Sequence, residues 1–88
     1  MLRITPTTTS GPSITLRLEG KITADWVDVL EEECRTLIRK RKHVRLDFLD
    51  VSYMGLDGVE MLRNLPIGTV TIVNAPEFIT DLLDRRGM

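Results

Sequence analysis

Cysteine and histidine occur once each in these 88 residues, and aromatic side chains make up only 5%. A lone Cys34 rules out an intrachain disulfide framework and fits a cytosolic protein better than a secreted one. No apolar run approaches the roughly 18–20 residues needed to cross a bilayer. The first residues are polar and β-rich rather than basic then apolar, so no secretory leader is read and no membrane insertion is expected. The formal net charge of −1 argues against general nucleic-acid binding. A glycine-rich nucleotide fingerprint and a zinc-ligand spacing are both missing. Cys34 and His43 lie about two and a half helical turns apart, too far for a Cys–His nucleophile pair, and Cys34 reads as a small buried hydrophobe. Asp47, Asp50 and Asp57 are scattered acids that define no metal site. The expectation is a protein without catalytic residues, metal or cofactor.

What remains is ordinary globular composition, 42% hydrophobic and 28% charged, in a length that suits one small domain over 1–88. A chain this short buries only a little over ~60% of the surface it exposes unfolded. Leu2 to Thr5 reads as a short strand, and Pro6 to Pro12, rich in Thr, Ser, Gly and Pro, as a loop. Ser13 to Glu19 alternates, with Ile14, Leu16 and Leu18 opposite Thr15, Arg17 and Glu19, which predicts a half-buried strand paired with the first as a hairpin. Thr23 is the expected N-cap of a helix on which Val27, Leu30, Cys34, Leu37, Ile38 and Arg41 fall at helical spacing beside Trp26. Acids (Asp25, Asp28, Glu31 to Glu33) precede bases (Arg35, Arg39 to Lys42) along it, which complements the helix dipole. The cluster Arg39 to His43 is read as a solvated helix end rather than a nucleic-acid patch.

Val44 to Leu49 is a second alternating strand. A short helix is predicted over Asp57 to Leu65, a β-branched strand over Thr69 to Val73, and a last helix opened by Ala75-Pro76-Glu77 with Phe78, Ile79, Leu82 and Leu83 on its apolar face. The order β-β-α-β-α-β-α implies an α/β fold: a four-stranded mixed sheet, largely parallel, with helices packed on it.

The run Asp50-Val51-Ser52-Tyr53-Met54-Gly55-Leu56-Asp57-Gly58 lies between the second alternating strand and the short helix. A glycine-bearing turn from strand to helix presents backbone N–H groups that suit a phosphate, another anion or a protein partner. Within it, Gly55 permits positive φ, Gly58 allows close packing of the helix start, and Ser52 is expected to bond locally to backbone. Tyr53 is expected half buried and Leu56 turned inward in preference to standing out as an apolar anchor. Asp57 is expected to N-cap the helix, with a partner contact compatible with that role.

This run resembles the signature loop of the STAS domain, the family of anti-sigma-factor antagonists, whose usual pattern is Asp-Leu-Ser-Phe-Met-Asp-Ser-Ser-Gly. It agrees at Asp50, Val51, Ser52, Tyr53, Met54 and Gly58, and departs at Gly55, Leu56 and Asp57. Leu18-Glu19-Gly20-Lys21-Ile22 and Asn74-Ala75-Pro76 resemble further family segments, so the likeness spans roughly Ile14 to Leu83. The chain stops after its third helix, short of the family's usual last strand and terminal helix, so the resemblance implies a C-terminally truncated STAS-like fold. It also implies a bacterial, cytoplasmic module of signal transduction and transcription regulation. Such a module would bind a protein partner, an anti-sigma factor of kinase type or the ATPase subunit of a transporter complex, through Ser52, Tyr53, Met54, Gly55, Leu56, Asp57 and Gly58. The family's first loop serine is phosphorylated by its partner kinase. The matching residue here is Leu56, which has no hydroxyl, so the usual switch is not expected. A nucleotide or lipid ligand at the loop, and a homodimer through the sheet edge, are the alternatives.

Overall fold

The computed structural model describes the backbone of residues 1–87 and the side chains of 1–7 and 11–83. The elements are β1 (Leu2–Ser10), β2 (Ser13–Ile22), α1 (Asp25–Arg39), β3 (His43–Met54), α2 (Leu56–Arg63), β4 (Val70–Val73) and α3 (Glu77–Gly87). They form a mixed sheet in the order β1-β2-β3-β4, antiparallel between β1 and β2 and parallel elsewhere. The crossovers β2-α1-β3 and β3-α2-β4 step in the same direction across the sheet. Right-handed connection therefore places α1 and α2 on one face, where α1 touches α2 and α2 touches α3. Leu16, Leu18, Val44, Leu46 and Phe48 point into this layer and are fully buried, against Leu30, Cys34, Val59 and Ile79 of the helices. The opposite face is polar. There Arg17 binds Asp50, with Nε donating over 3.1 Å, and His43 shares a hydrogen bond of 2.7 Å with Thr71.

β1 is longer than its sequence suggests. It continues through Pro6 to Ser10, and only Gly11-Pro12 turns, between the paired Ser10 and Ser13. An edge strand tolerates proline because the missing N–H can face solvent, and the threonines that looked like loop are good strand formers. A bulge between Pro6 and Thr8 absorbs the irregularity.

β3 holds the main surprise. It runs through most of the predicted loop to Met54, and relative to β2 it contains two extra residues. Arg17 and Glu19 pair with Asp47 and Asp50, and Gly20 and Lys21 with Val51 and Tyr53. Each bulge shifts the inward side by one position. The buried stripe therefore changes from every second residue (Val44, Leu46, Phe48) to every third (Phe48, Val51, Met54).

Two expectations at the ends of α1 are corrected. Ala24, not Thr23, occupies the N-cap of α1, with φ 49° and ψ −124° and no side-chain cap. Thr23 contributes its carbonyl, which accepts from Trp26 N–H over 2.9 Å. Arg41 lies past the helix rather than on its apolar face, at φ 62°. There Arg41 N–H donates to Ile38 O (2.9 Å) and Lys42 N–H to Leu37 O (3.0 Å). This is the paired bonding of a Schellman stop, with arginine where glycine is usual. Phe78, expected inside, is partly exposed, while Ile79 beside it is buried.

Left-handed backbone costs an L-residue about 1–2 kcal/mol, part of which glycine returns as unfolded-state entropy. Arg41→Gly is expected to raise stability by about 0.5–1 kcal/mol, read as a higher urea midpoint. An unchanged or lower midpoint would show that Arg41 is held by something other than the backbone turn.

Candidate functional site

β2 and β3 end side by side, with Ile22 paired to Met54 and Gly55 N–H donating to Ile22 O over 3.1 Å. Both strands then turn into helices, so the starts of α1 and α2 lie together at the carboxyl ends of the parallel strands. In open α/β sheets this is the end where functional loops gather.

The Asp57 carboxylate joins the two helix starts. Oδ1 accepts from Gly58 N–H at 2.9 Å within α2, and Oδ2 accepts from Ala24 N–H at 3.2 Å before α1. Helix starts carry unsatisfied N–H groups and the positive end of the dipole, so one anion stabilises both. Asp57 is therefore not the N-cap; Gly55 is, in an extended conformation with φ −79°. The left-handed freedom expected of Gly55 is not used. What matters is its lack of a side chain, since a Cβ there would come within 2.8 Å of Asp57 Oδ1. Ala24 is the strained member, in a region of φ,ψ that glycine prefers, and its N–H is the group that Asp57 receives.

Gly58 does pack closely. A Cβ would lie 2.9 Å from Met54 Cγ and 3.2 Å from Ile22 Cγ2. Met54 and Gly58 are buried, so they support the site from beneath. Ser52, at the second bulge of β3, donates its hydroxyl to Gly20 O over 3.3 Å, a backbone bond across strands. Tyr53 is half exposed at 50%. Leu56, expected inward, is 58% exposed as the first residue of α2. Leu49, outside the predicted site, is also exposed, at 63%, where the first bulge lifts it from the core. Its only signal in the sequence is the three-residue spacing of Phe48, Val51 and Met54.

The three acids weighed as a cluster have separate partners. Asp47 Oδ1 accepts from Leu49 N–H (3.0 Å) and Asn74 Nδ2 (3.2 Å), Asp50 pairs with Arg17, and Asp57 serves the helix starts. Cys34 is buried in α1, and burial pushes its thiol up to about 12. His43 is held by Thr71.

No protein-family model matches the chain, and no curated protein matches it in sequence. Among solved structures it is similar to that of the anti-sigma factor antagonist SpoIIAA in its unphosphorylated form. The TM-score is 0.77 at 18% identity, covering 97% of this chain and 81% of that one. The likeness establishes a STAS-like fold with the element order read from the sequence.

Asp57→Ala should cost about 1 kcal/mol through the lost charge-assisted bonds, and Gly58→Ala about 1–3 kcal/mol through overpacking. Chemical denaturation measures both. An Asp57→Ala variant as stable as wild type would mean that the carboxylate does not hold the helix starts together.

Proposed function

We propose that this chain is a non-catalytic protein-interaction module of the anti-sigma-factor-antagonist type, docking a partner through Ser52–Gly58. The observation that carries this reading is the presentation of Tyr53 and Leu56. One is an exposed aromatic and the other an exposed aliphatic side chain, yet both sit on backbone fixed by the β2–β3 ladder and the Asp57 bridge. Side chains presented from fixed backbone require no ordering of a loop when covered, which suits them as binding anchors. The likeness of fold to an anti-sigma factor antagonist supports a protein partner, with an anti-sigma factor as the first class to test.

Leu56 offers no hydroxyl to a kinase, and both Asp57 oxygens already accept backbone bonds. The module is thus read as one that docks without serine phosphorylation at this site. The same feature favours a second partner class, the ATPase subunit of a transporter complex, which needs no such switch. In either case the reading is of a cytoplasmic regulatory component. Self-association, where it occurs, is assigned to β4. That edge is Val70-Thr71-Ile72-Val73, without charge or proline, whereas β1 is blunted by Pro6 and a bulge.

Leu56→Arg and Tyr53→Ala are surface changes that should leave the melting temperature nearly unaltered and weaken partner binding by more than about tenfold. Comparative capture of partners by wild type and variants, followed by titration of the purified partner, tests this. Partners that bind wild type and both folded variants equally would remove this surface from consideration.

A further inference from the structure

The opposite end of the sheet has a different chemistry. The β1–β2 turn, the α1–β3 connection and the α2–β4 connection meet there. Pro12 O accepts from His43 N–H (2.7 Å), Lys42 Nζ donates to Gly11 O (3.3 Å), and Val44 N–H donates to Thr69 O (3.0 Å). No Asp or Glu occurs in residues 1–18, 36–46 or 61–76, which supply all three connections. The bases are Arg39, Lys40, Arg41 and Lys42, joined by Arg63 from the last turn of α2. Lys40, Arg41 and Arg63 make no ion pair or side-chain hydrogen bond among the described residues.

The net charge of −1 conceals this end. Of the acids on α1, Glu31 pairs with Arg35 and Glu32 with Arg39, while those of the first turn lie a helix of 15 residues away, about 22 Å at 1.5 Å per residue. That is more than twice the Debye length of about 8 Å at physiological salt. The acids of α1 thus engage Arg35 and Arg39 but leave Lys40 and Arg41 without an ion pair among the described residues.

Two further features belong to the same end. Ile67 is fully exposed, at 102%, in the Pro66–Thr69 turn, which is closed by Thr69 N–H donating to Pro66 O over 3.2 Å. Arg41 keeps a left-handed backbone that glycine would adopt at lower cost. A basic surface with one projecting aliphatic side chain matches an anionic bilayer interface. Headgroups attract the bases, and the aliphatic tip reaches the acyl boundary. A nucleic acid or an acidic peptide would use the charges but gives no reason for a fully exposed isoleucine.

We propose that the end of the domain formed by Lys40, Arg41, Arg63 and Ile67 adsorbs peripherally to anionic lipid headgroups. Adsorption there leaves the Tyr53–Leu56 end facing away from the surface and free to dock.

Sedimentation of the full chain with phosphatidylglycerol–phosphatidylcholine vesicles, and with phosphatidylcholine vesicles alone, tests the assignment. Wild type is expected to bind only the anionic vesicles, and more weakly as salt rises. Each base near the surface contributes about fivefold to binding. Arg41→Gly should therefore lose about fivefold, and the exposed pair Lys40→Glu/Arg41→Glu more than about twenty-fivefold. Ile67→Ser should lose several-fold at unchanged charge, and Leu56→Arg should lose nothing. Circular dichroism confirms that each variant is folded. Equal binding to both vesicle types, no binding at low salt, or full binding by the Lys40→Glu/Arg41→Glu variant would overturn the proposal. So would an Ile67→Ser variant that binds as well as wild type while duplex DNA or polyglutamate competes with the vesicles, since the surface would then be a general polyanion site.

Discussion

The parallel pairing of β2 with β3 is the constraint on which the other parts of this structure depend. It runs the full length of β2, from Ser13 opposite His43 to Ile22 opposite Met54. A one-residue slip between paired strands turns a side chain from core to solvent, and a second slip turns the next one back. β3 contains both slips. They carry Val51 and Met54 into the core after Phe48 and push Leu49, Ser52 and Tyr53 outward. The same pairing brings the two strand ends level, so that two helices begin side by side and one carboxylate can serve both.

The STAS pattern places aspartate where this chain has Gly55 and serine where it has Asp57. The structure gives this exchange a physical logic. With the Asp57 carboxylate directed at the helix starts, a Cβ at position 55 would meet Oδ1, and a second carboxylate would add like-charge repulsion. The two departures act as one rearrangement, in which the acid moves two positions along and the first position is cleared for it. Asp57 is also a poor imitation of a phosphoryl group, because its oxygens are engaged with backbone N–H groups and its charge is offset by two helix dipoles.

Much of the architecture was legible in the sequence because it rests on periodicity. The alternation through Leu16 and Leu18 and over Val44–Phe48 and the apolar stripe Val27-Leu30-Cys34 bury the side that their spacing indicates, and Val70 and Ile72 of the β-branched run pack partly buried against the same core. The element order followed from these. The candidate site was less legible because its geometry comes from exceptions to periodicity. The bulges made a strand resemble a loop, and α2 begins one residue early, which turns Leu56 outward. Nothing in the local sequence marks Ala24 for a glycine-like conformation; the group that its N–H meets, Asp57, is 33 residues away. Pro6 misled for a related reason, since its tolerance depends on β1 being an edge strand, a tertiary fact.

The Gly11-Pro12 turn bears on how the chain folds. It closes the one strand pairing that is local in sequence, at small loop entropy. β2 and β3 can pair only after residues 23–42 are gathered between them, and β4 is held across α2 by four residue pairs. Non-local parallel pairing of this kind is slow to nucleate. The β1–β2 hairpin, with Leu16 and Leu18 as its inward face, is therefore the cheapest template on which β3 can register its two irregularities.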